Sequence, residues 1–203
     1  SLAIYQRSEA GDDSFGLGAS RRFDLDGATL EVSTAFGGDT AALLSDWNGG
    51  TEASLFSASM ALSADISPVS QISFEAGYAS GRETSILGET SDVLMNSAAI
   101  SLTRQNAFTR NDRFGFTVSL PAAVTSGSTT LGLPVASDTG AITYQSVPID
   151  LSPDKREVRM ALTYERPLTR RSSLGLSLAH AQNRGNIAGK EETGLMVSFN
   201  KSF

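Results

Sequence analysis

The sequence contains no cysteine, a single histidine, a single tryptophan and only six prolines in 203 residues. Without cysteine there is no disulfide, no thiolate metal site and no cysteine nucleophile. Any Ser-His-Asp triad would have to use the lone His180, and no Gly-x-Ser-x-Gly elbow accompanies it. Histidines and carboxylates do not cluster at metal-ligand spacings, so neither a metal nor a cofactor is expected. Asp12-Asp13 and Glu191-Glu192 read as solvated loop carboxylates. Gly16 and Gly18 sit in a strand pattern with no helix after them, which argues against a phosphate-cradling loop. The chain reads as a non-enzyme. Long apolar runs are missing too: no stretch approaches the roughly 18 residues of a transmembrane helix. Basic runs stop at the pairs Arg21-Arg22 and Arg170-Arg171, and the net charge is −6, which argues against a nucleic-acid partner.

What is present is alternation. Strand patterns recur near 2–8, 14–23, 28–36, 52–66, 70–80, 93–104, 113–120, 129–135, 141–147, 156–165, 172–181 and 192–203. Phe56, Ala58, Met60, Leu62, Ala64 and Ile66 face one way, against Ser57, Ser59 and Ser63. Phe114, Phe116, Val118 and Leu120 oppose Gly115, Thr117 and Ser119, and Leu174, Leu176 and Leu178 oppose Gly175, Ser177 and Ala179. Period-two side chains put such sets on opposite surfaces of a sheet. The second surface is made of Ser, Thr, Gly and single charges, without the Lys and Glu usual on a solvated sheet face. Small polar residues suit a crowded, wet barrel interior. Many of the patterns run to about ten residues, enough to cross a bilayer at a tilt, where soluble strands average about five or six.

Connections alternate in length. Asp24-Leu25-Asp26-Gly27, Ser67-Pro68-Val69-Ser70 and Arg166-Pro167-Leu168-Thr169 read as short turns, with longer polar segments near 37–51, 80–92 and 182–191 between them. Short turns at one end and long loops at the other are an outer-membrane arrangement. These observations predict one all-β domain over 1–203: an antiparallel up-and-down transmembrane β-barrel of about twelve strands. The segment Asp39 to Trp47 reads as a short helix in one long loop, either a lid or a loop packed on its own rim.

Four charges fall on the polar parity and are candidates for the lumen: Glu31, Glu75, Glu157 and Arg159. They suit a lumen that holds a peptide or conducts ions, and equally an ion-pair network that stiffens the wall. His180 continues the apolar face of Leu174, Leu176 and Leu178, at the interface end of its strand. The closing strand carries Leu195, Val197, Phe199 and the terminal Phe203 on one face, interrupted by Lys201.

The region Arg113–Phe203 resembles the C-terminal β-barrel, or translocator, of autotransporters, closest to those following subtilisin-like serine-protease passengers in alphaproteobacteria. The likeness rests on Arg113-Phe114-Gly115-Phe116-Thr117-Val118-Ser119-Leu120-Pro121. It continues through Ser126-Gly127-Ser128-Thr129-Thr130-Leu131-Gly132-Leu133-Pro134, Ile149-Asp150-Leu151-Ser152-Pro153 and Glu157-Val158. The resemblance implies a protein of the bacterial outer membrane that anchors and exports its own N-terminal passenger by type V secretion. Its implied partners are outer-membrane lipid, the barrel-assembly machinery, and a passenger or linker helix in the pore. It also implies that Leu195, Val197, Phe199 and Phe203 form the assembly signal; Lys201 replaces the aromatic commonly found two residues before the end. Two other functions fit the strand pattern: a small stand-alone outer-membrane porin or structural barrel, and a soluble β-sandwich binding module.

Overall fold

The computed structural model describes residues 2–9, 12–38, 53–85, 88–89, 92–136, 142–169 and 171–201. The segment expected to be helical, with Trp47, lies outside them, as do Arg170 and Phe203. The described chain is almost wholly antiparallel strand, with one 3₁₀ turn at Arg184–Asn186. In order the strands are β1 (Leu2–Glu9), β2 (Asp12–Leu25), β3 (Ala28–Gly38), β4 (Ala53–Ser67), β5 (Ser70–Ser85), β6 (Gly88–Glu89) and β7 (Val93–Gln105). They continue as β8 (Arg113–Ser126), β9 (Ser128–Ala136), β10 (Ile142–Asp150), β11 (Val158–Thr169), β12 (Ser172–Gln182) and β13 (Glu191–Lys201).

Among the described residues thirteen strands replace the twelve expected, and they form two sheets. Eleven make a main sheet ordered β1-β2-β3-β4-β5-β7-β8-β11-β12-β13, with the short β6 paired to β5. β9 and β10 pair only with each other. The reason lies at the end of β8. The register with β7 shifts between Leu94 and Met95 and again between Asn96 and Ala98. Gly127 then turns the chain at φ 155, a conformation that side chains other than glycine rarely adopt. The bulges increase the local twist, and the chain leaves the wall as a hairpin. It returns at Leu151, whose N–H donates to the Gly127 carbonyl at 3.0 Å. Pro134 and Pro148 lack the N–H that a place inside the wall would use.

The closed barrel expected from the sequence is also corrected: the described sheet is open. β1 pairs along its whole length with β2 alone, and β13 with β12 alone, so each keeps one edge without a partner among the described residues. β1 is the shortest strand of the main order, at 8 residues. Another correction concerns Arg166-Pro167-Leu168-Thr169, which continues β11 with a bulge between Pro167 and Thr169 rather than turning. The other two short turns are confirmed, at Asp26-Gly27 and Pro68-Val69. Glu191 and Glu192 open β13 rather than sitting in a loop.

Conventional core packing is nearly absent. Among the described residues the buried hydrophobic side chains are Ala123 and Ala181. The large apolar residues are outside: Phe74 is 45% exposed, Phe116 36%, Leu162 38% and Leu176 43%. A compact soluble protein of this mass exposes about 9,100 Å² by size scaling; this one exposes 14040 Å². The main sheet is a single layer, held together by its backbone ladders.

Candidate functional site

The register assembles the polar face row by row. One row reads Thr29, Ser63, Ser73, Ser101, Thr117, Ala161, Ala179 and Gly194 across eight strands. Hydroxyls meet across strands on this face: Ser33 with Ser59 at 2.6 Å and Ser101 with Thr117 at 2.9 Å. Glycines admit others. A Cβ at Gly77, Gly115 or Gly175 would lie 2.5 Å from the hydroxyl oxygen of Ser97, Thr163 or Ser198 respectively. Small side chains here let the sheet bend toward this side.

That bend creates a cavity of about 550 Å³. Ser63 of β4 and Asn200 of β13 both border it, with Glu75, Arg113, Thr163 and Ser177 between. These two strands are six strand spacings apart, roughly 29 Å on a flat sheet, so one compact cavity requires a curled sheet with its polar face concave.

Of the four lumen candidates, three fall in one row. It reads Arg22, Glu31, Ala61, Glu75, Ala99, Ser119, Arg159, Ala181, Glu192. Glu31 and Glu75 are exposed, on either side of Ala61. Neither makes a hydrogen bond or ion pair among the described residues. The basic groups of the row do have partners: Arg22 with Asp24 at 3.1 Å and Arg159 with Glu157 at 2.7 Å.

Glu157, the fourth, is not a free lumenal charge. It precedes β11, is 6% exposed, and accepts from the Gly185 N–H at 2.8 Å as well as from Arg159. The Gly185 N–H and then the Arg159 guanidinium hold its carboxyl below the ordinary range, against the opposing effect of burial. Its own N–H donates to Asn186 Oδ1 at 2.9 Å, and Asn183 Nδ2 donates to the Arg156 carbonyl at 3.2 Å. Arg156 reaches back to the bulge, donating to the Asn96 side chain and to the carbonyls of Asn96 and Pro121 at 3.0 Å. Residues 183–190 are thus clasped to the start of β11 and the end of β8. Arg184 adds an ion pair to Glu192 of β13.

The opposite end is locked by Asp112, which is 1% exposed. Burial opposes its ionisation, but hydrogen bonds from the Thr109 N–H and hydroxyl, Tyr164 Oη and the Phe108 N–H outweigh it and hold the carboxyl below the ordinary range. The tight loop it closes contains Asn106 and Asn111 at positive φ, which asparagine tolerates better than most residues. Sequence reasoning missed Asp112, Arg156 and Asn96. The Asn-x₄-Asn-Asp spacing at 106–112 was the available signal for the first; the other two act through a bulge that alternation does not reveal.

On the convex face, Leu195, Val197 and Phe199 of β13 are exposed beside Leu178, Leu176 and Leu174 of β12. His180 lies on this face in register with Thr193, with Nδ1 2.9 Å from the threonine hydroxyl. No protein family, curated protein or solved structure matches the chain.

Proposed function

We propose that the chain is an outer-membrane β-barrel whose polar interior serves the export of a passenger, the translocator unit of a type V secretion protein. The observation that carries the membrane reading is inverted polarity. Bulky apolar side chains cover the convex face while hydroxyls and single charges fill the concave one, the reverse of a soluble domain. An exposed apolar face of this extent needs a nonaqueous neighbour. In the membrane the free edges of β1 and β13 meet. The main order holds ten strands besides β6, so its first and last run antiparallel and close without a mismatch. The likeness of Arg113–Pro121 and Ser126–Pro134 to autotransporter barrels supports export over simple permeation.

One experiment separates the readings. The chain is produced in a Gram-negative cell behind a secretory leader and a small reporter domain joined upstream of Ser1. A translocator places the barrel in the outer membrane and the reporter where protease added to intact cells cuts it. A stand-alone porin inserts but leaves the reporter protected. A soluble binding module leaves both in the periplasm, which contradicts the membrane reading itself.

A further inference from the structure

Among the described residues some arginines of the sheet are paired and others are not. At the loop end Arg82 binds Asp92 through two hydrogen bonds, at 2.9 and 3.2 Å, and Arg184 binds Glu192. At the turn end, Arg104, Arg110 and Arg166 are exposed and make no hydrogen bond or ion pair among the described residues. Arg104 and Arg166 flank an aromatic shelf, and Arg110 lies in the turn that carries Phe108. Arg104 is the cross-strand neighbour of Phe114, and Phe114 of Tyr164, in one row of the convex face. Arg166 follows Tyr164 by two residues on the same face. Phe108, in the turn, stands edge-on to both rings with centroids 5.8 Å away, and is itself 73% exposed. Asp112 fixes the shelf from beneath by accepting from Tyr164 Oη at 3.1 Å. The carboxylates that could neutralise these arginines point elsewhere: Glu165 borders the cavity, and Asp112 is bonded to its own turn.

We propose that Arg104, Arg110 and Arg166 bind the anionic headgroup of a phospholipid in the leaflet that meets the short turns, an inference that rests on the membrane reading above. Tyr164 is an aromatic ring with one polar end, the kind that favours the bilayer boundary. Guanidinium groups present forked donors that match a phosphate. The next two rows down the same strands read Leu102, Phe116 and Leu162, then Ile100, Val118 and Met160, an apolar track for the acyl chains of a lipid whose phosphate sits at the arginines. A free phosphate would leave that track without a role, which is why a lipid is the assigned ligand.

The test reconstitutes the full chain in phosphatidylcholine vesicles and measures, by spin-label resonance, the preference of its surface for phosphatidylglycerol over phosphatidylcholine. The wild-type protein should favour the anionic lipid, and Arg104→Gln with Arg166→Gln should reduce that preference by roughly fivefold per arginine. Arg82→Gln, at the loop end, should leave it unchanged. Heat-modifiable gel migration of each variant shows that the barrel has folded. Insertion with no anionic preference, or a preference that survives the double substitution, overturns the site alone. Displacement of the lipid by millimolar inorganic phosphate, but not by chloride at equal ionic strength, overturns the lipid assignment in favour of a free anion. Failure to insert in any vesicle overturns the proposed function and this site together.

Discussion

Leu176 and Ser177 are neighbours on β12, yet they face different surroundings. Leu176 belongs to a convex row with Tyr164 and Val197, and Ser177 to a concave row with Thr163 and Met196. The same contrast repeats along nearly every long strand. Under the proposed membrane location, the two sides of the main sheet are offered different solvents. Few apolar side chains are fully buried among the described residues, so under that proposal much of the hydrophobic effect acts between the wall and lipid.

The largest break in that contrast comes from a charge on the wrong side. Leu176→Arg should destabilise the protein by about 2–4 kcal/mol in reversible unfolding from lipid, if the position lies near the bilayer midplane. Ser177→Arg should cost clearly less, because its side chain enters the cavity. Equal losses would show that the two faces do not differ in solvent.

The concave face can be probed by size instead of charge. Gly115→Val brings a Cβ to 2.5 Å from Thr163 Oγ1, and overpacking of this kind costs typically about 1–3 kcal/mol. Combining it with Thr163→Gly should recover most of the loss. By contrast a Cβ at Gly194 meets nothing within 4 Å, so Gly194→Ala should be neutral or slightly stabilising. The same unfolding measurement checks all three.

Acid should loosen the two ends before the wall. Asp112 and Glu157 ionise below their ordinary values of 3.8 and 4.5. A depressed carboxylate stabilises the fold above its ordinary value, and that contribution fades as pH falls through the lowered one. Stability should be level at neutral pH and begin to drop below about pH 4.5. Glu157→Gln should remove part of that acid slope and raise hydrogen exchange at the Gly185 amide, with little change in the β7–β8 ladder.

The smallest stability effect should come from deleting Phe203, two positions past Lys201. Loss of that one residue leaves the β12–β13 ladder through Lys201 intact. A role in assembly predicts less barrel in the outer membrane of cells with near-normal stability after refolding in detergent. Unchanged membrane levels would remove that role.

Much of the fold was legible because alternation is local. All twelve strand patterns became strands, with ends displaced by a few residues, as at 113–120, which extends to Ser126 in β8. The common face of Glu31, Glu75 and Arg159 followed from parity, whereas their common row depends on register. What failed depended on partners. Alternation at 129–135 and 141–147 marks strands without saying whom they pair with, and the bulges at Asn96 and Pro121 sent them out of the wall. Glu157 had the right parity, but it sits just outside the ladder, where the loop at Gly185 claims it.

On the proposed membrane reading the convex face meets lipid and the concave face meets water. Since the chain has no cysteine, single cysteines can be placed cleanly at Phe74, Phe116, Leu162 and Leu176, and at Ser73, Thr117, Thr163 and Ser177. In reconstituted vesicles, reaction with a charged, membrane-impermeant maleimide should alternate, slow at the first four and fast at the second four. Equal rapid labelling of both sets would contradict the account.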